Sequence, residues 1–236
     1  MTAEPEVRPA STVVLLRNST GGLQTLMLRR NKALIFAGGA WVFPGGSLEA
    51  EDLAAANNNI EMASRFAAAR EAQEESGLTA RVDEMVLLSH WTTPVGEPRR
   101  FSTWIYAAPV ADDVDVVIDG SEIHDSKWLD VSEAIAAHKE GDLNMLPPTY
   151  FTLLRLADYG TVEHMTAVER DSPAPEVFPV FSVDGDDLMV MFRGDAGYDA
   201  RDGSIAGPRH RAVLIGGYWR YHYTDVDPAY PPLVQQ

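Results

Sequence analysis

No cysteine occurs anywhere in the 236 residues. That absence excludes disulfides, thiolate catalysis and cysteine-held metals, and it is compatible with a reducing compartment. Basic residues are also scarce: 19 Lys and Arg stand against 35 Asp and Glu, a formal net charge of -16. Such a surface repels nucleic-acid backbones and anionic membranes, so neither is expected as a partner. A polyanionic small molecule would need a local cation. Long apolar runs are missing as well. The longest uncharged stretch, residues 33–48, is too short and too rich in Gly and Pro to cross a bilayer. The opening MTAEPEVRPA lacks the basic start and apolar centre of a secretory signal, so a cytoplasmic location is expected. There is no internal repeat, P-loop, Rossmann glycine fingerprint or G-x-S-x-G turn, and the six histidines lack metal-ligand spacing.

What is present has the composition of a globular chain, 45% hydrophobic and 23% charged. TVVLL (12–16) and LQTLMLRR (23–30) read as strands joined by a hairpin at NSTGG (18–22), and residues 40–43 read as a further short strand. From Asn59 to Ser76 the pattern is helical, with Asn59 as N-cap and Gly77 as C-terminal stop. Strands follow at 84–91 and 100–108. Helices are expected from Asp130, with Glu133 in capping-box spacing, from Pro147-Pro148 to Tyr159, and over 161–170. A proline-bearing connector, DSPAPEVFP, leads to two strands, DLMVMFRG and RAVLIGGYWRYHY, separated by the loop 194–208. Interspersed strands and helices predict an α/β fold with a mixed sheet covered by helices. One domain over residues 1–236 is expected, with 171–236 as an extension packed on it.

The concentrated chemistry lies in the first helix. Glu71, Glu74 and Glu75 fall within an arc of about 100°, while Phe66, Ala69 and Ala72 point largely the other way. Three isolated glutamates on one face would read as a solvated surface. Like charges so spaced repel, however, and a divalent cation with a taste for hard oxygen ligands would reverse the sign of that interaction. Upstream, WVFPGG ends a strand at Pro44-Gly45-Gly46, either as a simple turn or as a place where backbone must approach a ligand.

The segment REAQEESGL, residues 70–78, is similar to the second half of the Nudix box, R-E-U-x-E-E-x-G-U with U aliphatic or small. Arg70, Glu71, Glu74, Glu75 and Gly77 match. The first half departs in spacing: the box glycine normally lies 14 residues before the arginine, whereas Gly46 lies 24 before Arg70, an insertion of about ten. The early glutamate stays open among Glu51, Asp52 and Glu61. Together with GGAWVFPGG, TTPVGEPRRFSTW, DGSEIHDSKWL and NMLPPTYFTLLRLA, the long insert resembles the subgroup that includes the peroxisomal coenzyme A diphosphatases, although the chain ends PLVQQ rather than Ser-Lys-Leu.

The resemblance implies a Nudix-type α/β/α sandwich and metal-dependent hydrolysis of a nucleoside diphosphate linked to another group. Coenzyme A, ADP-ribose, dinucleotides and nucleotide sugars are the substrate classes; the alternative is a non-catalytic Nudix module that senses such a metabolite. It implies Mg2+ or Mn2+ held by Glu71, Glu74 and Glu75, with a carbonyl of Gly45 or Gly46 joining the metal shell. Arg70 would orient the glutamates by ion pairing. Glu122, six residues before Trp128, is the candidate fourth ligand or general base, with Glu71 or Glu74 as alternatives for the base. Arg99 and Arg100 are candidates for substrate phosphate. The C-terminal strands are open to three roles: extending the sheet, forming a homodimer interface or covering the active site.

Overall fold

The computed structural model describes residues 4–33, 37–111, 115–118, 120–185 and 187–234. Among them the central element is β1 (Val7–Ser19), which turns through Thr20-Gly21 into β2 (Gly22–Arg30). β3 (Trp41–Val42) pairs with β2, and β4 (Gly45–Ser47) pairs with the first half of β1. Two helices follow, α1 (Ala50–Ala55) and α2 (Ile60–Ser76), then β5 (Val86–Thr92), β6 (Arg100–Pro109) and β7 (Ile123–Asp130). β6 runs parallel to β1 over its whole length, and the other neighbours within this group are antiparallel, giving the expected mixed sheet.

The run VVLL explains the layering. Val13 and Leu15 pack toward α2 with Ala68 and Ala72, whereas Val14 and Leu16 pack on the opposite face with Phe151, Leu153 and Leu156. A strand apolar on both faces must be covered on both, and the chain supplies α2 on one side and α3 (Val131–Lys139), α4 (Pro147–Leu156) and α5 (Val162–Asp171) on the other. This is an α/β/α sandwich. β8 (Glu176–Val177) adds a parallel edge beside β5.

The C-terminal part departs from expectation. Where two strands were expected, β9 (Val180–Asp184), β10 (Asp187–Met191), β11 (Arg209–Ile215) and β12 (Tyr218–Thr224) form a separate four-stranded antiparallel sheet. RAVLIGGYWRYHY is a hairpin because Gly216 and Gly217 both take positive φ, 63° and 88°, as a tight two-residue turn between twisted strands requires. Val190, Phe192, Ala212 and Trp219 from this sheet join the core on the α4 face. His138 of α3 is a latch: its Nε2 accepts from the Trp219 N–H at 3.1 Å, so its Nδ1 carries the proton donated to the Leu143 carbonyl at 2.7 Å. The loop 194–208 is anchored by Asp195, which bonds Arg211 and receives the N–H groups of Gly197 and His210 at 2.9 Å each. The helix from Pro147 ends at Leu156 rather than Tyr159. No helix among the described residues is long and apolar enough to cross a membrane.

Candidate active site

α2 is positioned by small side chains. Ala63, Ala67, Ala68 and Ala72 are fully buried, which lets the helix lie close to the sheet. Its polar flank then faces a cleft of about 550 Å³. Gly45, Gly46, Arg70, Glu71, Glu74, Glu75, Arg99 and Glu122 all line that cleft, together with Arg30 at the end of β2. Position around the helix axis separates the glutamates. Glu75 is drawn to the rim of the core and is 6% exposed, whereas the Glu74 side chain is 58% exposed.

The two glycines have different tasks. A Cβ on Gly45 would lie 2.5 Å from the Ser11 carbonyl oxygen, so this glycine allows β4 to pair against β1. Its N–H donates to Glu75 Oε2 at 3.0 Å, which ties the turn to the helix. A Cβ on Gly46 would lie 2.6 Å from the carboxyl carbon of Glu71. The missing side chain is therefore the room that Glu71 occupies.

Arg70 lies between the carboxylates. One terminal nitrogen donates to Glu71 at 2.9 Å and Glu74 at 3.0 Å; the other donates to the Ser47 carbonyl at 3.0 Å and to Asp52 at 3.1 Å. Its burial opposes the charge, but Asp52 and Glu71 outweigh that and hold the guanidinium above its ordinary range. For Glu71 the balance is reversed: burial raises its carboxyl more than Arg70 lowers it. Burial pushes Glu75 up to about 8, with Glu71 and Glu122 adding repulsion against the relief given by the Gly45 N–H and Arg30. Glu122, its side chain 59% exposed, meets Arg30 at 3.5 Å. Arg100 does not line the cleft. Its Nε donates to the Thr93 carbonyl at 3.2 Å and its guanidinium turns toward Glu4, because side chains alternate along β6 and Phe101 and Thr103 take the cleft side.

The family model described as NUDIX domain matches residues 7–148. The chain belongs to the Nudix family. The "Putative nudix hydrolase 7" of Caenorhabditis elegans is 26% identical over 185 residues, which cover 64% of this chain and 60% of that protein; the chain thus spans less than two thirds of that relative. The crystal structure of a Nudix hydrolase from Alicyclobacillus acidocaldarius has a TM-score of 0.66 at 19% identity over 72% of this chain and 100% of that one, a likeness of fold. The Nudix domain of Shewanella oneidensis NrtR, solved with ADP-ribose, has a TM-score of 0.49 at 14% identity over 71% of this chain and 90% of that one.

Nudix hydrolases generally use divalent metal ions, and the donor set here is chemically suited to one. The carboxylates are hard oxygen ligands, and a buried Glu75 facing Glu71 and Glu122 is the kind of group a cation stabilises. Among the described residues no three such side chains are already gathered at ligating distance. Two members of the cleft network went unnamed as site residues in the sequence. Asp52 is buried and pairs with Arg70; it lies six after Gly46, the offset of the box glutamate, and was one of three candidates. Of the others, Glu51 is exposed and Glu61 pairs with Arg65. Arg30 closes β2, and a charge at the end of an otherwise buried run is the sequence signal for it.

Proposed function

We propose that this Nudix chain, over residues 1–236 acting as one unit, hydrolyses the diphosphate bond of a nucleoside diphosphate linked to a second group, with Mg2+ or Mn2+ as cofactor. The observation that carries this reading is the meeting in one cleft of Glu71, Glu74, Glu75 and Glu122 with Arg30, Arg70 and Arg99. Carboxylates for a cation and guanidinium groups for an anion are what a metal-bound diphosphate needs together. In this reading Glu71, Glu74 and Glu75 hold the metal with help from the backbone at Gly45 or Gly46. The ion supplies charge neutralisation and lowers the pKa of a bound water. Arg70 positions Glu71 and Glu74. Arg99 and Arg30 meet phosphate oxygens, and Glu122 takes the proton as water oxygen bonds to one phosphorus and the bridging P–O bond breaks. The products are two phosphate esters. Coenzyme A leads the substrate classes because of the subgroup resemblance, followed by ADP-ribose, dinucleotides and nucleotide sugars.

A second reading, a Nudix module that binds and senses such a metabolite, is favoured by the Arg70 bridges. With Glu71 and Glu74 both held on one guanidinium nitrogen, the acidic face is partly neutralised without a metal. The two readings separate on incubation with Mg2+ or Mn2+ and a panel of coenzyme A, ADP-ribose, NADH, diadenosine polyphosphates, nucleotide sugars and nucleoside triphosphates, with products read by mass spectrometry. Cleavage of one class, lost in Glu75→Gln and with chelator, supports the hydrolase. Tight binding of a panel member with no turnover under any metal overturns it in favour of the sensor.

A further inference from the structure

Beside the acidic cleft lies a second pocket, of about 270 Å³, with the opposite chemistry. The two share Thr12, Phe101 and Thr103 as common walls. Residues 101, 103 and 105 of β6 point to one face of the strand, and Ile105 lines only the second pocket. One strand face therefore leads from the Arg99 end of the polar cleft into apolar space, a path of roughly 13 Å at ~3.3 Å per residue. The far wall is made of Pro147 and Pro148 at the start of α4, Phe181 of β9 and Val190 of β10. Phe181 and Val190 lie beyond residue 148, where the family match ends.

The lining restricts what can occupy the pocket. Among the described residues its only charged side chain is Glu97, and no Lys, Arg, His, Asn or Gln lines it. A negatively charged group would meet repulsion and no counter-charge. A nucleobase would find only threonine hydroxyls, and no charged or amide side chain besides Glu97, for its polar edge, since the Trp91 indole N–H is already given to Ser89 at 3.1 Å. The volume is near the lower end of the ~300–1,000 Å³ typical of small-molecule sites.

We propose that this pocket receives the group attached to the diphosphate, and that this group is an uncharged, largely apolar arm such as an alkyl or acyl chain. The inference rests on the diphosphatase reading and deepens it: the shared walls put the phosphates in the polar cleft and the arm against the C-terminal sheet. Specificity for the arm then comes from this second pocket, to which the extension contributes Pro179, Phe181 and Val190, and not from the residues that hold the phosphates.

The test uses ADP esterified on its terminal phosphate with a methyl, octyl or ribosyl group. Binding is measured on Glu75→Gln by calorimetry and by tryptophan fluorescence, since Trp91 lines the pocket, and turnover on the unmutated protein by mass spectrometry. The octyl ester is expected to bind at least tenfold more tightly than the methyl or ribosyl ester and to quench the tryptophan signal. Thr92→Phe, which fills the pocket, should reduce the octyl-to-methyl ratio to near one; Phe181→Lys, placing a charge on the far wall, should do so independently if the first variant does not fold. Equal affinity for all three esters, or a preference that both variants leave intact, overturns the proposal. Octyl preference without cleavage would sink the hydrolase reading alone; cleavage of all esters without preference would sink the pocket alone.

Discussion

Alanine at Gly46 and alanine at Gly45 are expected to fail in different ways, although the residues are adjacent and both belong to the same turn. Neither glycine has a positive φ among the described residues, so the backbone conformation itself accepts alanine at either position. At Gly46 the added Cβ meets the carboxylate end of Glu71, with the carboxyl carbon at 2.6 Å. That end is flexible and can swing away, at a cost comparable to the ~0.4–1 kcal/mol that replacing glycine gains through the unfolded chain. Stability should therefore change by less than about 1 kcal/mol. The displaced carboxylate, however, is one proposed to hold the metal, and a misplacement of about 1 Å in such a site lowers the rate by roughly 10²-fold.

At Gly45 the added Cβ meets backbone, the Ser11 carbonyl oxygen at 2.5 Å and the Thr12 Cα at 2.8 Å. Neither can move without opening the pairing of β4 with β1. Overpacking of this kind costs about 1–3 kcal/mol. For a chain of this size that lowers Tm by roughly 2–12 °C. Calorimetric Tm and kcat/KM on the best panel substrate, measured for both variants, check the pair. The reasoning is refuted if Gly46→Ala keeps full activity, or if its activity loss is matched by a fall in Tm as large as that of Gly45→Ala.

Asp52→Asn should weaken Mn2+ affinity or kcat by about 10–100-fold, as loss of a group that orients metal-site residues does; Asp52→Glu should recover part of it, and a Mn2+ titration with both variants reads the difference. Arg211→Met leaves Asp195 buried without its partner, since the two side chains are 6% and 0% exposed; the expected cost is about 3–5 kcal/mol in denaturant unfolding, and the double replacement with an apolar residue at 195 should cost less. The three buried histidines should each take stability away as pH drops below about 6.5, against an opposite contribution from Glu71 and Glu75, whose raised carboxyls bind protons in the folded chain first. Burial lowers the imidazoles of His90, His138 and His210, only partly opposed by a nearby Glu176 carboxylate at His90 and by carbonyl hydrogen bonds at the other two. At these imidazoles the unfolded chain takes up protons that the folded chain refuses, so their contribution is full above the unfolded value and declines toward the folded ones. His138→Gln should remove part of the slope of Tm between pH 7 and pH 5.5; an unchanged slope would refute its share.

The central sheet and α2 were legible in the sequence because their signals are local. VVLL is apolar on both faces, Asn59 accepts from the Met62 N–H at 2.9 Å as a cap should, and Gly77 takes φ 73°. The extension was harder to read because YWRYHY continues the strand pattern past Gly216-Gly217, which hides the turn. α1 was missed for a related reason. It has six residues, and its capping box uses Glu49 and Asp52, acids that blend into the run EAED.

That missed helix explains the displaced half of the Nudix box. Asp52 and Arg70 are 18 positions apart, yet their side chains meet at 3.1 Å. The intervening residues make α1, then a reversal in which Asn57 and Asn58 adopt φ of 49° and 61°, left-handed values that asparagine tolerates better than most residues, and then the first turns of α2. Because α1 packs back on α2, the insertion closes on itself and returns the acid to the arginine. Spacing along the chain was therefore a poor guide to this pair. Charge complementarity at the Gly46 offset was the better one, since a buried aspartate beside Arg70 needs the guanidinium as much as the site needs the arginine held in place.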